Sequence, residues 1–403
     1  MVFGGNRPAP DVTSAQFMAD PYGAYAVLRA EFPLAWNEPT NSYLLSRFED
    51  VERALKDPAF TNRNYEWQAE PVHGRTIIQM DGREHSTKRA LVSPSFRGRE
   101  LFERFLPVIE RNADELMERI PAAGPFDLVD TFATRLPINV IVDILGLPQR
   151  DHDLFHGWYS AIVAFVSNLV GDPAVTAAGV RAKEELAAYL LPVVAARRES
   201  PGDDLISTLC AAEVDGVAMT DEEIKAFASL LLTAGGETTD KAITVVVRNL
   251  LDHPDQLAAV GADPSLIDRA LVETLRFSPV VQMVMRQPSV DIEMTGGTVP
   301  ANSTVICLLA SANRDESRFE RPDEFDLHRP EIDGERGFTA AASHTAFGLG
   351  RHFCVGAHLA RAEVGVSVRK LLAVGSPRYA PGFTPQDTGA FVRAPSELVL
   401  ELS

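Results

Sequence analysis

Phe347-Gly348-Leu349-Gly350-Arg351-His352-Phe353-Cys354-Val355-Gly356 is the stretch on which the reading of this 403-residue chain turns. Gly348, Gly350 and Gly356 remove side chains and permit tight turns, so another group can approach the backbone closely. Cys354 stands just before a helical pattern over residues 355–372. The amides and dipole at a helix start stabilise an anion, which favours thiolate over thiol. Phe347 and Phe353 can shield the sulfur from water, and Arg351 and His352 are cations able to pair with carboxylates. A lone cysteine is more often a small buried hydrophobe. The residues around this one point instead to a ligand.

Outward from that loop the chain reads as mainly helical. Amphipathic patterns cover residues 97–120, 177–198 (with Pro192 inside), 220–251 and 265–277, the last stopping before Pro279. Thr220 and Glu223 form a capping-box signature. Short strands are expected at 34–37, 42–46, 281–285, 292–295, 304–306, 391–393 and 398–401. The reading is one domain over 1–403, with a β-containing part over about 1–75 and a helical core over about 76–375. The net charge of −18 argues against nucleic acid and anionic membranes. Three cysteines, Cys210, Cys307 and Cys354, are too few for a disulfide scaffold and form no zinc spacing. The N-terminus carries no basic segment followed by an apolar run, and no apolar stretch reaches membrane-spanning length. A cytoplasmic protein is expected.

Two further motifs carry local conflicts. Ala234-Gly235-Gly236-Glu237-Thr238-Thr239 lies inside the long apolar helix. Each interior glycine costs roughly 1 kcal/mol against alanine, and a buried acid costs more unless satisfied. Such conflicts are expected at functional sites, although a kink with Glu237 on a solvated face would produce the same pattern. Glu273 and Arg276 stand three apart on one helix face, which alone would be an ordinary surface pair. His85 and Arg89 share a face at a spacing of four.

Taken together, the cysteine loop, the AGGETT segment, Glu273-Thr274-Leu275-Arg276, Asn313-Arg314-Asp315 and Phe325-Asp326-Leu327-His328-Arg329-Pro330 resemble the cytochrome P450 family of bacterial, soluble, ferredoxin-dependent type. The likeness runs from Asp20-Pro21-Tyr22 to the final strands. It implies a mainly α, single-domain fold with small β-sheets, and heme b (iron protoporphyrin IX) ligated by Cys354, with Gly235, Phe347 and Gly348 against the ring. It implies propionate partners at His85, Arg89, Arg286 and His352, and a buried scaffold of Glu273, Arg276 and Arg329 that holds the cysteine loop. Glu237 and Thr238 take the proton-delivery role. The implied reaction places one oxygen atom of O2 into an organic substrate, using two electrons and two protons. Two departures are small: Asn302 stands where the family usually has Gly, and Glu237 replaces the more frequent Asp.

The resemblance also implies where substrate sits. The pocket draws on the loop before His85, residues 161–180, the helix near Ala228–Ala234, the strand after Pro279 and the final turn. These offer Tyr65, Trp67, Ile78, Phe165, Val166, Leu231, Val281, Met283, Val284 and Phe391, which are mostly apolar. A medium-sized, largely apolar organic substrate is expected. Electrons come from NAD(P)H through external partners, a ferredoxin reductase and a ferredoxin, because the chain has no flavin or iron–sulfur motif. Arg351, Arg361, Arg369 and Lys370, with Arg97, Arg99 and Arg104, would form a basic docking patch on a monomer. A haem sensor or carrier is the alternative, but it has no need of an acid–alcohol pair.

Overall fold

Thr220 and Glu223 start the longest helix as the sequence predicts. The Glu223 amide donates to Thr220 Oγ1 at 3.2 Å and the Thr220 amide to Glu223 Oε2 at 2.8 Å. The structure, a computed structural model, describes residues 8–168 and 172–402. Part of the N-terminal stretch and residues 169–171 of the expected pocket segment lie outside the described residues. The main helices are α1 Pro21–Glu31, α2 Phe48–Lys56, α3 Gly82–Val92, α4 Leu106–Met117, α5 Arg135–Ile144, α6 His152–Val166, α7 Pro173–Glu199, α8 Asp221–Asp252, α9 Ile267–Phe277 and α10 Ala357–Val374. The helix expected over 97–120 runs over 98–117, with a π turn at Leu101–Phe105 before α4. Pro107 lacks the N–H that an unbroken α ladder needs, so the register changes there. Pro192 lies inside α7 without ending it.

The chain forms two compact units. One comprises residues 1–64, 244–357 and 381–398; the other comprises 65–243, 358–380 and 399–403. In the first unit, β1 Leu34–Asn37, β2 Ser42–Leu45, β3 Phe60–Thr61, β4 Val284–Pro288 and β5 Thr304–Cys307 form a sheet in the order β1-β2-β5-β4-β3. Strand β5 runs parallel to β2 (Thr304 opposite Ser42) and antiparallel to β4 (Val305 opposite Arg286). Period-2 alternation feeds two cores. Leu44, Met283, Met285 and Ile306 pack with Tyr25 and Leu28, whereas Leu45, Val305 and Cys307 pack with Val51, Leu55, Phe60 and Leu349. Leu349 thereby seats the cysteine loop on the second core.

The strand expected at 281–285 is displaced to β4. Val281 makes only an isolated bridge to Val392, and residues 391–393 form no strand. Pairing there is limited to the Gln282 amide on Phe391 O and the Arg393 amide on Val280 O, both at 2.8 Å. Asn302 has φ +61°, the left-handed region that glycine and asparagine tolerate, which accounts for the family's glycine being replaceable there.

In the second unit α6 and α7 pack together. Phe165 lies over Gly179, where a Cβ would come within 2.6 Å of Phe165 Cβ. Phe155, Trp158 and Tyr189 meet edge to face, and Trp158 Nε1 donates to Glu185 Oε2 at 2.8 Å. Among the described residues, no helix is long and apolar enough to cross a membrane.

Candidate active site

The cysteine loop closes on itself. The Cys354 amide donates to Phe347 O at 2.8 Å, Gly348 to Thr345 O at 2.8 Å, and Phe353 to Gly350 O at 3.2 Å. Gly348 and Gly350 have φ +68° and +67°. A Cβ on Gly350 would approach Leu55 O to 2.9 Å, so both backbone conformation and space require glycine. Arg351 Nη2 donates to Phe60 O at 2.6 Å, pinning the loop to β3. The rings of Phe347 and Phe353 lie 6.1 Å apart at 64°. Cys354 is half-buried, and helix α10 begins three residues later.

Behind the loop, Glu273, Arg276 and Arg329 come together with at most 1% of each side chain exposed. Glu273 accepts two bonds from Arg276, each 2.8 Å, and one from Arg329 Nε at 3.3 Å. The remaining guanidinium donors reach backbone carbonyls of Asn313, Glu320, Arg321, Pro322 and Glu324. Asn313 Oδ1 then accepts from the Thr345 amide (2.8 Å) and hydroxyl (3.0 Å). This carries the network into the turn that starts the cysteine loop. Thr345 was not singled out by its sequence, because its role depends on a contact 32 residues away.

In the second unit, the AGGETT segment sits mid-way along α8. Ala234 is exposed, Gly235, Glu237 and Thr238 are half-buried, and Gly236 and Thr239 are buried. Thr238 Oγ1 donates to Ala234 O at 2.7 Å, and Glu237 Oε1 lies 3.6 Å from Lys241 Nζ. The two glycines divide their work. A Cβ on Gly236 would fall 2.4 Å from Ile138 Cδ1 and 3.0 Å from Tyr159 Cε2, so Gly236 serves helix packing. On Gly235 a Cβ would meet the flexible ends of Ile141 at 3.1 Å and Leu231 at 3.8 Å, so this glycine sits in looser surroundings.

Glu363 on α10 escaped sequence reading. It is 1% exposed, burial pushes its carboxyl up to about 8, and the Thr239 hydroxyl partly offsets that shift. An acid inside an apolar helix was the signal that could have revealed it.

The remaining expected residues are placed as follows. His85 is buried in α3 and Arg89 is half-buried in its last turn. His352 lies in the short turn before Cys354. Arg286 is 5% exposed, donates to Met285 O at 2.7 Å, and meets no carboxylate among the described residues. Met283, 2% exposed, packs in the core with Met285 and Ile306. Val281 and Val284 are half-buried, as are Phe391, Tyr65, Ile78, Phe165 and Val166; Leu231 is 7% exposed and Trp67 59%. Four of the seven cations of the expected basic patch have acidic partners. Arg99 pairs with Glu103, Arg104 with Glu100, and Arg369 and Lys370 with Glu110.

These residues fit a haem. Among the described residues no group of three or more His, Cys, Asp or Glu could hold a metal ion. A lone sulfur ligand therefore suits a metal that brings its other donors with it, as in a porphyrin. Arg286 fits a group that also brings carboxylates, since a buried guanidinium without an anion is costly. A thiolate loop of this geometry, carried by a helical fold with an acid–alcohol helix, defines the haem-thiolate class.

A model of the cytochrome P450 family matches residues 29–374. The chain is 38% identical to pulcherriminic acid synthase of Bacillus subtilis (strain 168), over 96% of each chain. It is 37% identical to vitamin D(3) 25-hydroxylase of Pseudonocardia autotrophica, over 90% of this chain and 88% of that protein. The solved structure of cytochrome P450 CYP109Q5 from Chondromyces apiculatus superposes with a TM-score of 0.86 at 34% identity, covering 98% of both chains. The chain belongs to the cytochrome P450 family. It has that family's mainly helical fold with small sheets, and it is a haem-thiolate monooxygenase.

Proposed function

We propose that this monooxygenase oxidises a medium-sized, largely apolar organic molecule in bacterial secondary metabolism. The observation that carries the reading is the cysteine loop held by the Glu273–Arg276–Arg329 network, with the acid–alcohol segment on α8. Haem bound through Cys354 supplies the dioxygen chemistry. Around it, His85, Arg89, Arg286 and His352 would hold carboxylates, Gly235 and Gly348 would allow close approach, and Phe347 and Phe353 would keep water from the sulfur.

Proton supply falls to Glu237 and Thr238. The Thr238 hydroxyl leaves Ala234 O to donate toward the reacting oxygen, and Glu237, beside Lys241, passes a proton from water to Thr238 Oγ1. Glu237→Gln is expected to lower product formation roughly 100-fold while leaving the absorption of the reduced carbon-monoxide complex unchanged. An unimpaired variant would remove Glu237 from this role.

By the family resemblance, Val281, Val284, Leu231 and Phe391 would give the substrate its apolar walls, and Tyr65, Ile78 and Phe165 are assigned to the same role. The names of two relatives, a vitamin D(3) hydroxylase and a pulcherriminic acid synthase, support a small organic substrate of this kind. Spectral titration with a panel graded in hydrophobicity, including vitamin D3 and the precursor of pulcherriminic acid, tests it. Phe391→Ala and Val281→Ala are each expected to weaken the best binder by about 1–3 kcal/mol, roughly 5- to 150-fold. Unchanged affinity in both would refute the pocket. Electrons reach this cytoplasmic monomer from NAD(P)H through a ferredoxin reductase and a ferredoxin. The acids paired with its basic patch leave shape as well as charge to guide docking.

A further inference from the structure

We propose that Asp240 is a second proton-holding carboxyl of this enzyme, placed one helical turn beyond Glu237 to refill it. The inference rests on the reading that Glu237 and Thr238 deliver protons. Asp240 is 5% exposed on α8, where an ionised carboxylate is costly unless its charge is met. Thr134, in the turn before α5, donates its hydroxyl to Asp240 Oδ2 at 3.0 Å. Residues three apart on a helix are surface neighbours, so Asp240 and Glu237 share a face. Tyr159 of α6, 7% exposed, lies beside both. Its ring packs on Gly236, and burial followed by the charges of Asp240 and Glu237 raises its phenol. Lys241 adjoins the pair, 3.6 Å from Glu237 and 26% exposed, which gives the cluster an edge on water.

The electrostatics agree with that geometry. Burial above all raises the Asp240 carboxyl, Lys241 and Thr134 lower it, and Glu237 and Asp127 add smaller upward pushes, leaving it at about 6. His156, one turn before Tyr159 on α6, is pushed down to about 4 by burial and stays neutral in this range. A carboxyl titrating near 6 is suited to both hold and release a proton close to neutral pH. A purely structural link to Thr134 would need only an acceptor oxygen, which asparagine also has. In the proposed step the O–H bond at Asp240 breaks and one forms at Glu237 by way of water. Asp240 then takes a proton from solvent, and no electron moves.

The test uses the haem-loaded full chain with a surrogate ferredoxin and reductase, measuring product per NADPH on either side of pH 6. In the wild type, yield should fall as pH rises past about 6, because the carboxyl empties. Asp240→Asn should lower the yield roughly tenfold and flatten its pH dependence. Asp240→Glu should restore the slope. Thr134→Val, which keeps the carboxyl but removes a donor to its ionised form, should move the limb to higher pH. Infrared difference spectra, with or without haem, should show a protonated-carboxyl band that titrates near pH 6 and is missing in Asp240→Asn. The proposal is overturned if Asp240→Asn keeps the wild-type yield and slope, or if that band survives in it. If Glu237→Gln also leaves the yield intact, the underlying proton-delivery reading fails; if only Glu237→Gln lowers it, this inference alone fails.

Discussion

Cys354→Ala is expected to abolish product formation while leaving a folded chain. The lost side chain is small and half-buried, and the loop's own bonds run through backbone: Cys354 N to Phe347 O, Gly348 N to Thr345 O, and Phe353 N to Gly350 O. Alanine keeps all three. The substitution removes an anionic sulfur whose electron density assists cleavage of the O–O bond, and no other cysteine can replace it. Cys307 is buried in the sheet core and its thiol is raised to about 12, while burial also raises the Cys210 thiol, which bonds Val194 O. The check is absorption of the reduced, carbon-monoxide-treated protein together with turnover. The wild type should show a strongly red-shifted Soret band that the variant lacks. A red-shifted band without Cys354 would place the ligand elsewhere.

Glu273→Gln should destabilise the protein by about 3–5 kcal/mol, because two fully buried arginines lose their shared counter-charge while staying charged. Gln preserves the shape, so the loss reports charge rather than a cavity. The urea midpoint should fall with little change in slope. Haem retention should fall with it, since the same network reaches Thr345 through Asn313. Arg99→Gln, which breaks a pair whose arginine is 83% exposed, should leave the midpoint unchanged. Equal, small effects of the two substitutions would mean that the buried network does not hold the fold.

Much of the site was legible because its chemistry constrains residue type at short range. A thiolate loop needs glycines where φ is positive, and Gly348 and Gly350 stand there. The Thr220–Glu223 box and the Glu273–Arg276 spacing each reflect one turn of helix. Harder to read were features set by partners far along the chain. The packing of Met283 with Met285, Ile306 and Tyr25 joins residues from distant parts of the chain. The need for glycine at 236 came from Ile138 and Tyr159, which close over it. The basic patch looked positive until Glu100, Glu103 and Glu110 met its cations.

By itself, then, the sequence determined the helical class and carried the motifs whose family resemblance makes Cys354 the expected ligand and Glu237 and Thr238 the expected acid–alcohol pair. Those depend on periodicities and spacings within a few residues of one another. Tertiary structure alone decided the route by which the ion network grips the cysteine loop, the burial of Glu363 and the setting of Asp240. The reason is physical: the ionisation of a carboxyl depends on desolvation and on charges within a few ångströms. In this chain those neighbours come from residues as distant as Asp127, Thr134 and Tyr159.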